Sequence, residues 1–145
     1  MSTSTSLFPD VNVWVALAHA IHPHHTTAAY WERALPPEAV LCFCRFTQLG
    51  LLRLLTNRSA MREDVLYQVE AWRTYDSFVQ IAGARLIDEP HDIDPQFRRL
   101  SDRKESSTKQ WADGYLAAFA ETAGLTLVTF DRALAGQVKG AILLS

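Results

Sequence analysis

The chain is predicted to fold as an α/β protein, a three-layer α/β/α sandwich around a central, mainly parallel sheet. Three observations predict it. Short apolar runs alternate with helical stretches of about ten residues or more. Aspartates close two of those runs: Asp10 after Leu7-Phe8-Pro9, and Asp131 after Leu125-Thr126-Leu127-Val128-Thr129-Phe130. Finally, 145 residues at 48% hydrophobic content suit one compact domain, residues 1–145, with a sizeable core.

Taken in order, residues 6–10 read as a short first strand entering a helix over 11–20. Residues 21–25 form a His-rich loop, and a second helix over 26–35 is stopped by Pro36-Pro37. Residues 39–45 read as a buried strand, and a helix over 47–56 carries Leu49, Leu52 and Leu55 at helical spacing. A long helix is expected over 62–81, with Val65, Val69, Trp72 and Val79 on its core stripe; Tyr75 and Phe78 would extend the apolar surface into a groove for a partner helix. Residues 84–87 make a short strand. Asp94 is expected as an N-cap, with Pro95 at the first helical position, for a helix ending near Leu100. A polar loop over 101–108 leads to a helix over 109–122, for which Gly124 is a suitable stop. Strands over 125–130 and 141–144 complete the chain.

The formal net charge of −2 gives no global basic field, so nucleic-acid binding would have to rest on a local patch. Cys42 and Cys44 are the only cysteines. Two apart on a strand they share a face, and without zinc or CxxC spacing they read as reduced core thiols. The Ser/Thr tract at residues 1–6 carries no Lys or Arg and does not read as a secretion signal, and the apolar stretch after it is too short and polar to span a membrane. A cytoplasmic protein without a membrane segment is expected.

Ligands of parallel sheets bind beyond the carboxyl ends of the strands. Asp10, Asp131 and the Arg45-Phe46-Thr47-Gln48 turn all fall at such ends. Asp10 and Asp131 also suit N-caps, and capping leaves metal binding open. Asp113 has no capping role: it is the only charge between Trp111 and Ala120, in a helix whose neighbours read as buried, beside a Gly114 that leaves room for close approach. Carboxylates among apolar residues need a cation or hydrogen bonds. One acidic pocket holding Mg²⁺ or Mn²⁺ accounts for all three, and it points to phosphodiester hydrolysis by metal-activated water.

The ordered set Asp10-Val11-Asn12, Phe43-Cys44-Arg45-Phe46-Thr47-Gln48-Leu49-Gly50 with Leu51 to Asn57, and Trp111-Ala112-Asp113-Gly114-Tyr115-Leu116 running on to Asp131 resembles the PIN domain. More narrowly it is similar to VapC-type toxins of bacterial toxin–antitoxin modules, over nearly the whole chain. The resemblance implies a metal-dependent endoribonuclease toxin, a homodimer, neutralised by a cognate VapB-like antitoxin. It implies that Asp10, Asp113 and Asp131 are catalytic and metal-binding. The family commonly has a fourth acid, a Glu after the second strand, and Gln48 matches that position. Gln supplies a neutral oxygen but no charge, which weakens a second-metal subsite. Asn12 orients Asp10 or caps the helix, and Thr129, on the same side of its strand as Asp131, is a candidate supporting hydroxyl.

Basic residues Arg98, Arg99, Arg103, Lys104 and Lys109 precede the helix bearing Asp113. With Arg45 and Arg53 they read either as a solvated surface or as a rim holding RNA phosphates, and Arg45, Arg98, Arg99, Lys104 and Lys109 are taken as the RNA-binding candidates. His19, His22, His24 and His25 match no strong metal motif. Two other readings compete. A catalytically weakened or inactive PIN-like RNA-binding module rests on Gln48 alone. An aspartyl-phosphate enzyme needs a second Asp where Asn12 stands, and a receiver domain needs an acidic pair near the first strand, which is absent.

Overall fold

The computed structural model describes residues 5–145; most of the Ser/Thr tract, residues 1–4, lies outside the described residues. The elements follow in order. β1 (Ser6–Pro9) leads to α1 (Val11–Ala18) and α2 (His25–Arg33). β2 (Val40–Phe43) leads to α3 (Arg45–Leu55), α4 (Arg58–Met61), a 3-10 turn (Arg62–Asp64) and α5 (Gln68–Gln80). β3 (Arg85–Leu86) leads to α6 (Asp94–Ser101) and α7 (Lys109–Ala123), and β4 (Thr126–Thr129) to α8 (Arg132–Ala135) and β5 (Ile142–Leu143).

The strands form one sheet in the order β3-β2-β1-β4-β5, every neighbouring pair parallel. Successive strands step outward from β1 in one direction and, from β4, in the other. The order reverses between β1 and β4, the point at whose carboxyl ends sheets of this kind bind ligands. In their register Leu7 faces Thr126, Phe8 faces Leu127 and Pro9 faces Val128.

The sheet separates two apolar cores because side chains alternate along each strand. Leu7, Leu41, Phe43 and Val128 pack with Val13, Trp14, Leu51 and Tyr75 from the α1, α3 and α5 layer. Phe8, Cys42 and Leu127 pack with Leu100, Leu116, Phe119 and Leu134 from the α6, α7 and α8 layer. The expected three-layer sandwich is therefore present. Cys42 and Cys44 are free thiols in the second core, and burial pushes both thiols up from their ordinary pKa, which keeps them unreactive. Among the described residues no helix is long and apolar enough to cross a membrane.

Helix packing is close where glycine allows it. A Cβ on Gly50 would meet Val11 Cγ2 at 2.5 Å, so α3 can lie against α1 only without a side chain there. The room expected beside Gly114 is taken by α6, with Ser101 Cβ at 3.3 Å from the position of an added Cβ. Gly124 ends α7 in the left-handed region, φ 70°, as its sequence position predicts.

Several boundaries differ from the sequence expectation. The helix expected over 62–81 is two pieces, the 3-10 turn and α5, and α4 ends just before them. Asn57 caps α4 by accepting from the Ala60 N–H at 3.1 Å, Arg62 takes a positive φ of 53°, and α5 starts afresh at Gln68 with Glu70 Oε1 accepting from the Tyr67 N–H at 2.8 Å. The local caps override an apolar periodicity that runs through them. Its core stripe is also rotated: Ala71 and Tyr75 are buried and Phe78 packs on the core, whereas Val69, Trp72 and Val79 are exposed. Trp111, read as buried, is 62% exposed, and Leu49 is half exposed. α3 begins at Arg45 rather than at residue 47, because the Thr47 hydroxyl accepts from the Cys44 N–H at 3.0 Å and draws the first turn back. Asp94 is the first helical residue of α6, not its N-cap; its carboxylate takes Arg98 Nε at 2.9 Å and Ile93 holds the cap position.

The rotated face of α5 is testable by chemical denaturation. Tyr75→Ala should cost roughly 3 kcal/mol, as deletion of a large core side chain does, while Trp72→Gln should cost no more than about 1 kcal/mol.

Candidate active site

Asp10 stands at the carboxyl end of β1, immediately before α1. Its N–H donates to the Val128 carbonyl at 3.0 Å, which continues the β1–β4 pairing by one residue. Its Oδ1 accepts from the Val13 N–H at 3.2 Å, so Asp10 is the N-cap of α1. The register then brings Thr129 opposite, and the Thr129 hydroxyl donates to Asp10 Oδ2 at 2.5 Å. That hydroxyl also accepts from the Asp131 N–H at 2.9 Å. Thr129, fully buried, thus ties the two strand-end aspartates together.

Asp131 caps α8 with one oxygen: Oδ1 accepts from the Ala133 and Leu134 N–H groups at 2.9 and 3.2 Å. Its other oxygen, Oδ2, meets the Lys109 ammonium at 2.5 Å. The same ammonium lies 2.6 Å from Asp113 Oδ2. Asp113 is buried one helical turn beyond Lys109 on α7, so the i,i+4 spacing puts both on one face. The Asp113 and Asp131 carboxylates therefore converge on a single cation, while the Thr129 hydroxyl joins the Asp10 carboxylate to the backbone N–H of Asp131.

The electrostatics differ from one carboxylate to the next. Burial raises the Asp10 pKa above the ordinary carboxylate value, and the nearby charge of Asp131 adds to this, against the lowering effect of Thr129 and the Val13 and Asn12 N–H groups. Lys109 lowers the Asp131 pKa, helped by the capping N–H groups. Both carboxylates in turn raise the Lys109 pKa.

These side chains bear on a divalent ion as follows. The donor set is hard carboxylate oxygen, the kind Mg²⁺ and Mn²⁺ take. A cation already sits between Asp113 and Asp131 in the form of the Lys109 ammonium, so the two oxygens lie within reach of one positive centre. Among the described residues no three acidic, His or Cys side chains are set closely enough to cage a metal as they stand. Mg²⁺ needs no such cage, because it usually keeps several waters and takes one or two carboxylates. The residues fit the ion on these terms.

The other sequence candidates are distributed around this centre. Asn12 contributes its backbone N–H toward Asp10, and its exposed side chain lines a separate groove with Val15, His19 and Leu54; the cap role it was offered belongs to Asp10. Gln48 is buried, accepts from Arg45 Nη1 at 2.7 Å and hydrogen-bonds the Tyr75 hydroxyl. Arg45, at the end of β2, is thus held by Gln48. Arg98 pairs with Asp94, and Arg99 with Glu121, about two turns along α7 from Asp113. Lys104 is exposed in the loop between α6 and α7. Arg53 is exposed in a groove with Leu49 and Trp72.

The histidines make other contacts. His19 pairs with Asp64 at 3.0 Å, His25 Nδ1 bonds the Ala16 carbonyl, and His24 stacks on Phe130. A cleft of about 600 Å³ lies between α6 and the start of α7, lined by Phe97, Arg98, Arg103 and Trp111. Trp111 is on the opposite face of α7 from Lys109 and Asp113, so this cleft adjoins the acidic centre without containing it. Sequence reasoning put Lys109 on a phosphate-holding rim and missed its seat between two carboxylates. The Lys109–Asp113 spacing was the available signal.

Residues 7–138 match the profile of the PIN domain. Ribonuclease VapC41 of Mycobacterium tuberculosis is 42% identical over 135 residues, 88% of this chain and 90% of that protein. Ribonuclease VapC39 of the same organism is 29% identical over 134 residues, 92% and 94% of the two chains. Among solved structures, VapBC2 from Rickettsia felis, bound to a DNA fragment from its promoter, superposes with a TM-score of 0.68 at 14% identity, covering 97% of this chain and 99% of that one. VapC20 of Mycobacterium tuberculosis, a Sarcin-Ricin loop cleaving toxin, superposes with a TM-score of 0.66 at 17% identity, covering 90% and 93%. At those identities the two structures establish the fold.

The opposite pKa shifts predict opposite stability effects in metal-free protein. A raised Asp10 pKa means stability is present at low pH and lost as pH rises through the raised value, so ionised Asp10 is a cost at neutral pH. Asp10→Asn keeps a good cap and should melt at an equal or higher temperature. A lowered Asp131 pKa means stability is present above the ordinary carboxylate value and lost as pH falls through the lowered one. Asp131→Ala should cost about 1 kcal/mol at neutral pH from the lost cap and ion pair, and less in acid. Thermal denaturation followed by circular dichroism at both pH values reads this.

Proposed function

The chain belongs to the PIN-domain family, in its VapC branch, and from that premise we propose that it is a divalent-metal-dependent endoribonuclease, a toxin neutralised by a VapB-like antitoxin, acting as one domain over residues 1–145. The observation that carries the reading is the convergence of Asp113 and Asp131 on one cation at the β1–β4 switch, with Asp10 joined through Thr129. The names of the M. tuberculosis relatives support RNA as the substrate, and the neighbour solved as VapBC2 supports an antitoxin partner.

In this reading Asp10, Asp113 and Asp131 hold Mg²⁺ or Mn²⁺, directly or through its waters. The ion, when bound, supplies Lewis acidity at the scissile phosphate and eases deprotonation of the attacking water. Asp10, fixed at the end of β1 by the Val13 N–H, would hold the ion from the β1 side. Thr129 holds Asp10 in one orientation. Gln48, without a charge, acts through Arg45, whose guanidinium it steadies at the end of β2 for an RNA phosphate. Lys104 and Arg98, the latter lining the cleft beside the start of α7, extend the phosphate-holding rim; Arg99, turned toward Glu121 about two turns along α7 from Asp113, contributes least. The active species is a homodimer. The antitoxin would block the crevice with a cationic side chain, for which paired carboxylates are a natural receptor.

Purified protein should cleave RNA with Mg²⁺ or Mn²⁺ and stop with EDTA. Asp10→Asn, Asp113→Asn and Asp131→Asn should each lose at least about a hundredfold in rate and relieve growth arrest at equal expression. Growth arrest that persists in all three would instead favour an inactive RNA-binding module, the reading that Gln48 supports.

Phosphate contacts release counterions, so replacing Arg98 and Lys104 by Ala should flatten the salt dependence of RNA binding, with the log–log slope falling by roughly 1 per lost contact. Replacing Arg99 alone should leave the slope near that of the parent. Filter binding across a salt series measures it, and an unchanged slope for Arg98 and Lys104 returns them to the solvated surface.

A further inference from the structure

Lys109 occupies a position that helix electrostatics disfavour. It is the first residue of α7, where the helix dipole presents partial positive charge and a cation is unwelcome. Its partner Asp113 lies four residues C-terminal, the weaker order for a helical ion pair. α7 has no acidic residue in its first turn to offset this. Within the helix, that weaker pair is the one local gain for a lysine here. What the residue gains is reach: its Nζ lies 2.6 Å from Asp113 and 2.5 Å from Asp131. Among the described residues no other Lys, Arg or His pairs with either carboxylate. The stem is 60% exposed, so the ammonium can swing into solvent without disturbing the core.

We propose that Lys109 is a resident counter-ion in the divalent-ion seat, holding Asp113 and Asp131 together in metal-free protein and leaving when the ion binds. The proposal rests on the reading that these carboxylates bind a divalent ion. Two carboxylates facing one another without a cation repel, and the first turn of α7 and the cap of α8 would part. With Lys109 between them the crevice is preassembled, and metal affinity is set by competition with a tethered ammonium. Lys109 is then a positioning residue rather than a proton donor or acceptor, and it makes the nuclease demand more free metal than its carboxylates alone would.

The experiment measures Mn²⁺ binding to the full chain by calorimetry and by the loss of the free-ion electron paramagnetic resonance signal. Lys109→Met and Lys109→Gln remove the charge and keep much of the stem; Lys109→Arg keeps the charge; Asp131→Asn removes a carboxylate. Both neutral variants should bind Mn²⁺ about tenfold more tightly than the parent, the scale of losing two partly exposed ion pairs, and Lys109→Arg should stay within about threefold of it. Asp131→Asn should bind markedly more weakly. The melting temperature supplies a second readout: Lys109→Met should melt below the parent without metal, and saturating Mn²⁺ should erase the difference. Equal or weaker Mn²⁺ binding by both neutral variants, with Asp131→Asn still impaired, overturns the counter-ion role and leaves the metal reading standing. Mn²⁺ binding that ignores Asp131→Asn, or that is absent from parent and neutral variants alike, overturns both. A melting deficit in Lys109→Met that Mn²⁺ does not repair assigns Lys109 a purely structural pair and overturns the proposal.

Discussion

The register between β1 and β4 is the constraint on which the rest of the molecule depends. Pro9 opposite Val128 puts Asp10 beside Thr129, two residues before Asp131. A slip of one residue would turn Thr129 to the other face and separate the two aspartates. The same slip would exchange the two cores, because Leu7 and Val128 feed one and Phe8 and Leu127 the other. Two apolar layers therefore hold the strand ends in place, and the acidic crevice inherits its geometry from packing well below it.

Each carboxylate at the crevice is compensated by a different means. Asp10 has a hydroxyl and helix-capping N–H groups but no cation, and burial leaves it with a raised pKa. Asp131 divides its oxygens between a cap and an ammonium. Asp113, in mid-helix, depends on the same ammonium. The buried charges of Asp10 and Asp113 weaken a fold that apolar residues would serve better. The helices adapt to them. α7 carries Asp113 to the crevice while Gly114 lets α6 lie close behind, and the buried Gln110 side chain donates to the Leu100 carbonyl and to Gln137, joining α7 to the ends of α6 and α8.

Gln48 stands where the sequence resemblance led to an acid being expected, and a neutral amide is buried there. In place of an acid, its carboxamide bonds Arg45 and the Tyr75 hydroxyl, linking the end of β2 to the α5 layer. A carboxylate there would carry a charge into a buried position; the amide satisfies its partners without one.

Much of this was legible along the chain. Alternating strands and helices, aspartates ending two strands, Gly124 stopping α7 and paired cysteines on one face all depend on local pattern, and local pattern is what periodicity and capping rules read. The weak points were also local in origin. The helix expected over 62–81 failed because the positive φ of Arg62 and the cap at Tyr67 impose a turn and a fresh start inside a stretch whose apolar spacing continues. Which face of α5 is buried, and that Trp111 is exposed, depended on where neighbouring layers lie, and periodicity allows more than one stripe. The residue types and spacing of the acids were fixed in one dimension. The seat of Lys109, the Thr129 bridge and the diversion of Gln48 to Arg45 were decided only in three, because each joins atoms whose proximity comes from strand register or layer packing, or from a choice among side-chain partners that only the folded neighbourhood offers.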